Sequence, residues 1–117
     1  MKYALLIHEA PEAFAIRKDP PRQAVYLEKF MAYTVALRQA GVLAGGAGLK
    51  APESATTVHL GPTQTIQDGP FADSKLQFGG FYLVDVADLD AALGWAARIP
   101  AVPGSAIEVR PCIEANE

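Results

Sequence analysis

Two stretches of this chain read as strands that are apolar on both faces, and this limits the folds open to it. In the first, Tyr3 to His8, Leu5 and Ile7 fall on one face while Ala4 and Leu6 fall on the other. In the second, Gly79 to Val86, Phe81 and Leu83 alternate with Tyr82, Val84 and Val86. A sheet built on both needs cover on both sides, because each such side chain left in water forfeits about 1.5–3 kcal/mol. The pattern offers only two helices, enough for one face of a four-stranded sheet. A second copy of the chain is the simplest cover for the other face, so a homodimer is expected.

The remaining elements follow from local signals. No clear period marks the dozen residues after the first strand, and they read as a loop through Pro20 and Pro21. Pro21 suits a first helical position. Leu27, Phe30, Met31, Thr34 and Leu37 then recur at the spacing of one helical face, and Gly41 ends the helix. The glycine-rich run from Val42 to Leu49 fits neither phosphate-loop fingerprint and reads as a short strand with bulges or a close backbone neighbour. Ala55 to Leu60 is a β-branched strand. Gly61-Pro62 turns the chain, and Thr63 to Gln67 returns as its hairpin partner. Asp68-Gly69-Pro70 is a further turn. After the strand at 79–86, Asp88 caps a helix carrying Leu89, Ala92, Leu93, Ala96 and Ala97 on one stripe, and Pro100 stops it. Gly94 inside that helix costs about 1 kcal/mol relative to alanine, which a close helix–sheet approach would explain. Ile107 to Ile113 is the last strand. The order is β-α-β-β-α-β with an extra hairpin, an α+β, ferredoxin-like plan.

Composition excludes several classes. The 117 residues, half of them apolar and 20% charged, suffice for a core in one domain spanning 1–117. A net charge of −3 and ten scattered basic residues argue against nucleic acid as a partner. One cysteine, Cys112, permits no intrachain disulfide and fits a reducing compartment. The first apolar run is too short for a signal peptide, closed as it is by His8 and Glu9, and no run approaches the roughly 20 residues of a membrane span. A cytoplasmic protein without membrane contact is expected.

The stretch Asp68-Gly69-Pro70-Phe71-Ala72-Asp73-Ser74-Lys75, followed by Gly79-Gly80-Phe81-Tyr82, resembles the signature of YCII-related proteins of the DGPF type. Asp88-Leu89-Asp90-Ala91-Ala92, Trp95-Ala96-Ala97 and Glu108-Val109-Arg110-Pro111 extend the resemblance from Lys2 to about Ile113. It implies a dimeric α/β barrel and, from the genes that often neighbour such proteins in bacteria, a regulatory or stress context. It implies no particular activity. The chain also departs from the pattern. Asp73 stands where a glutamate is usual, Leu76 stands where an acid is usual, and the first helix lacks the histidine of the His–Asp pair put forward in the wider group.

Few residues offer chemistry. His8, at the end of the first strand, is a candidate proton shuttle. Asp68 has two readings: a turn carboxylate accepting from the backbone N–H groups that follow it, or a base. In the second reading Asp68 and Asp73 face Lys75 and Arg110 across a cavity mouth, with a cation holding an anionic substrate. Tyr82 lines the pocket or serves as core. His59 and Cys112 are too distant from His8 to form a metal site, and neither metal nor cofactor is expected. Two functions remain open. One is a non-catalytic accessory protein that binds a small organic ligand or a regulatory protein partner. The other is a cofactor-free isomerase, lyase or hydrolase acting on a small organic acid.

Overall fold

A computed structural model describes residues 1–114. The fold is α+β. Strands β1 (Lys2–Glu9), β2 (Leu43–Gly48), β5 (Gln77–Asp85) and β6 (Ala106–Pro111) form one antiparallel-paired sheet in the order β2-β5-β1-β6. β3 (Thr56–His59) and β4 (Thr65–Asp68) form the expected hairpin as a separate two-stranded sheet. Among the described residues, no helix is long and apolar enough to cross a membrane.

Alternation on β1 places the core. Tyr3, Leu5, Ile7 and Glu9 point inward, opposite Val84 and Tyr82 of β5 and Val109 and Ile107 of β6. Helices α2 (Pro20–Gln39) and α3 (Leu89–Ala96) cover this face with Tyr33, Leu37, Ala92 and Ala96. Asp88 caps α3 as expected, its side chain accepting from the Ala91 N–H at 2.9 Å. The opposite face of the sheet carries Ala4, Leu6, Phe81 and Leu83, and among the described residues no helix lies on it.

Three expectations need correction. The segment read as a loop contains a short helix, α1 (Pro11–Ile16), which buries Ala13 and Ile16. At six residues it is too short to display a period. The stripe predicted to bury on α2 is turned: Leu37 is buried, but Leu27 and Met31 are 51% and 68% exposed, while Tyr33 packs inward. Both sides of α2 are apolar, so spacing alone could not choose between them. Gly94 has nothing within 4 Å of where a Cβ would stand, so no close helix–sheet approach accounts for it.

The glycine-rich strand behaves as read. β2 carries a register shift between Leu43 and Gly45. At Gly46, with φ +146°, a Cβ would stand 2.5 Å from the Phe81 carbonyl oxygen, so β2 and β5 pair closely only because that atom is missing.

Candidate functional site

The inward alternation of β1 ends on a charge. Glu9 occupies the position after Tyr3, Leu5 and Ile7 and is 4% exposed. A carboxylate that deep must be paired. Arg17, just past α1, donates from Nη2 to Oε1 at 3.3 Å, and Tyr26 of α2 donates its hydroxyl to Oε2 at 3.0 Å. Arg17 also donates from Nη1 to the Leu49 carbonyl at 2.9 Å, and its guanidinium lies 5.2 Å from the centre of the Phe14 ring. One carboxylate thus ties β1, the end of α1, α2 and the chain after β2.

The sheet makes room for it. The β1–β5 register shifts between Ile7 and His8, leaving Gly79 as an extra residue on β5. The Glu9 carboxylate lies against Gly79, where a Cβ would stand 1.8 Å from Oε1. Burial, and next the neighbouring Glu9, push the Tyr26 phenol well above its ordinary pKa, so it stays protonated and serves as a donor.

Beside this cluster runs a groove of about 720 Å³ between α2 and the β5–β2 edge of the sheet. Leu27, Phe30, Met31 and Val35 form its helical wall, and Tyr82 with the glycines Gly46, Gly48, Gly79 and Gly80 its strand wall. Glu9, Arg17, Gln23 and Tyr26 line it together. The Tyr82 hydroxyl shares a 2.8 Å hydrogen bond with Thr34 Oγ1. Gln23 Oε1 is buried with no hydrogen-bond partner among the described residues. Arg38 and Lys50 complete the polar lining. The size and the mixture of apolar walls with a few fixed polar groups suit a small ligand.

The family model of the YCII-related domain matches residues 1–116. The chain belongs to the YCII-related family. It is also similar to an uncharacterised protein of Rhizobium meliloti (strain 1021), with 43% identity over 76 residues, and that match spans 62% of this chain and 61% of the relative's length.

In this YCII-related chain the residues singled out by sequence do not converge on one site, and of the six only Tyr82 lines the groove. His8 is on the face of the sheet opposite the helices, its Nε2 3.3 Å from Glu108 Oε1 and its ring tilted against Phe78. Arg110 pairs with the same Glu108. Arg110, and then His8, hold the Glu108 carboxyl below its usual value. Asp68 ends β4 opposite Thr56, and its carboxylate accepts no hydrogen bond among the described residues. The turn is tied instead by Thr57 Oγ1 donating to the Gly69 carbonyl at 2.9 Å and by Gln67 Nε2 donating to the Pro70 carbonyl at 3.2 Å. Asp73 and Lys75 are exposed, and among the described residues neither makes an ion pair. These acids and the lysine sit on the hairpin and the chain after it, outside the four-stranded sheet that carries Arg110. Among the described residues there is no group of three His, Cys, Asp or Glu side chains able to hold a metal.

The residues that sequence reasoning missed are Glu9, Arg17, Gln23 and Tyr26. The legible signal was Glu9, a charge in the inward register of an otherwise apolar strand.

Proposed function

We propose that this chain is a non-catalytic, small-ligand-binding accessory protein that works as a homodimer. The observation that carries the reading is the groove beside α2, apolar along its walls and fitted with Arg17, Gln23 and Tyr26 around a buried carboxylate. Both Glu9 oxygens are engaged, which favours binding over catalysis: the carboxylate is committed to holding the site together. The genomic setting implied by the DGPF-type resemblance fits a regulatory or stress role, with a protein partner reading the ligand-bound state. The test is a fragment screen followed by NMR on the wild type and on Leu27→Asp. Binders should perturb Phe30, Tyr82 and Gly48, and the aspartate variant should lose them while melting normally. Fragments that bind but never shift these residues would refute the reading.

The dimer rests on two apolar surfaces, one half-buried and one exposed. One is the sheet face of Ala4, Leu6, Phe81 and Leu83. The other is the β3–β4 hairpin, where Val58, Leu60 and Ile66 are exposed. A two-stranded hairpin is marginal by itself. Packing two ferredoxin-like sheets face to face gives a dimeric barrel and covers the first surface, with the hairpins free to reach the partner. Light scattering at micromolar concentration should give about twice the 12.4 kDa chain mass. A well-behaved monomer would end this part of the reading.

The enzymatic alternative has one observation in its favour, the Glu9 carboxylate and Tyr26 hydroxyl paired at 3.0 Å beside the groove. On that reading, Glu9→Gln would keep affinity for a small organic acid and lose its turnover.

A further inference from the structure

The charges along the groove run against those of the chain. The whole sequence carries a net charge of −3, yet the groove is lined by Arg17, Arg38 and Lys50 against a single carboxylate, Glu9. Arg17 pairs with one Glu9 oxygen and the other accepts from Tyr26, so the carboxylate's charge is already countered from within the protein. Arg38 and Lys50 are exposed and make no ion pair among the described residues. The lining therefore presents an excess of two positive charges beside apolar and aromatic walls.

We propose that the groove binds an organic anion: a carboxylate, or an acid of similar charge, on an apolar or aromatic body. This rests on the ligand-binding reading above and specifies the ligand class. The body lies against Phe30, Met31 and Tyr82, and the acid is met by Arg38 or Lys50, whose charge-assisted hydrogen bonds are stronger than neutral ones. The unpartnered Gln23 Oε1 adds a second preference. A buried acceptor without a donor is costly, so a ligand that carries a hydroxyl or amide N–H is favoured over one that does not. Aromatic walls suit a flat body, since offset or edge-to-face contact adds to area burial.

The test uses two probes with the same ring system, 1-anilinonaphthalene-8-sulfonate, which is anionic, and N-phenyl-1-naphthylamine, which is neutral. Fluorescence titration is run on the wild type, on Arg38→Gln/Lys50→Gln and on Met31→Glu, with melting curves to confirm folding. All three positions are exposed, so the fold should survive. The double variant is expected to weaken the sulfonate probe at least tenfold and the neutral probe less than twofold. Met31→Glu, which sets a carboxylate on the groove wall, should abolish the sulfonate signal. Equal losses for both probes in the double variant, or no loss for either, would overturn the anion preference. If Met31→Glu still abolishes probe binding, the groove remains a ligand site of other specificity. If Met31→Glu changes neither probe, the groove is not the site, and the ligand-binding reading falls with the anion preference.

Discussion

Gly79→Ala should destabilise this protein by about 3 kcal/mol, the sum of an overpacking cost and of charge-assisted hydrogen bonds lost. The added Cβ would stand 1.8 Å from Glu9 Oε1 and 2.6 Å from its Cδ. Gly79 is not among the positive-φ glycines, so the cost comes from the side chain it displaces and not from backbone strain. Glu9 must leave, and Arg17 and Tyr26 lose their acceptor while still partly buried. For a domain of this size the melting temperature should fall by roughly 10 °C. The double-mutant cycle with Glu9→Ala isolates the cause. Once the carboxylate is gone, Gly79→Ala should cost under about 1 kcal/mol, a coupling of about 2 kcal/mol between the two positions. Equal costs in both backgrounds would show that Glu9 is not what fills the space. The same cycle followed by probe titration separates fold from site, since losing Glu9 frees the Arg17 guanidinium beside the groove.

Alkaline pH should unfold the protein through two tyrosines. Burial, and then the neighbouring Tyr82, hold the Tyr33 phenol above its ordinary 10.0, as burial and Glu9 do for Tyr26. Both groups are neutral in the folded chain at a pH where the unfolded chain ionises them. A folded-state pKa raised in this way leaves stability intact below pH 10 and removes it as pH rises beyond that value. Above it, each tyrosine steepens the loss by about 1.4 kcal/mol per pH unit, roughly 2.7 together, until the folded-state phenols also ionise. Urea melts between pH 9 and pH 12 give the slope. Tyr33→Phe should remove about half of it, at the expense of the hydrogen bond to the Trp95 carbonyl at 2.8 Å. A slope unchanged in Tyr33→Phe would assign alkaline unfolding to other groups.

What could be read from the residues alone is what depends on near neighbours in the chain. The alternation of β1 and β5, the return of Thr63–Gln67 on Ala55–Leu60, the Asp88 cap and the helix end at Gly41 all follow from side-chain spacing or from one residue's backbone preference. α1 escaped because six residues hold too little periodicity to separate a helix from a loop. The buried face of α2 escaped for the opposite reason. Apolar residues circle so much of that helix that Tyr33 was buried beside Leu37, in place of Leu27 and Met31, by the shape of the sheet beneath.

The site belongs to the tertiary structure. Glu9, Arg17, Gln23, Tyr26, Gly79 and Tyr82 share no sequence motif, and the most separated of them stand on opposite sides of the hairpin. They meet because β1 pairs with β5, because the register slips by one residue at Gly79, and because α2 settles with Tyr26 turned toward Glu9. The slip opens space for a carboxylate where a regular ladder would have placed a side chain. The DGPF run drew attention through its sequence specificity, yet its acids lie in exposed chain without ion pairs among the described residues. Local spacing therefore determined the elements and their apolar faces. Strand register and helix rotation decided which charges are buried together, because both are set by packing summed over the whole sheet and not by any single stretch of chain.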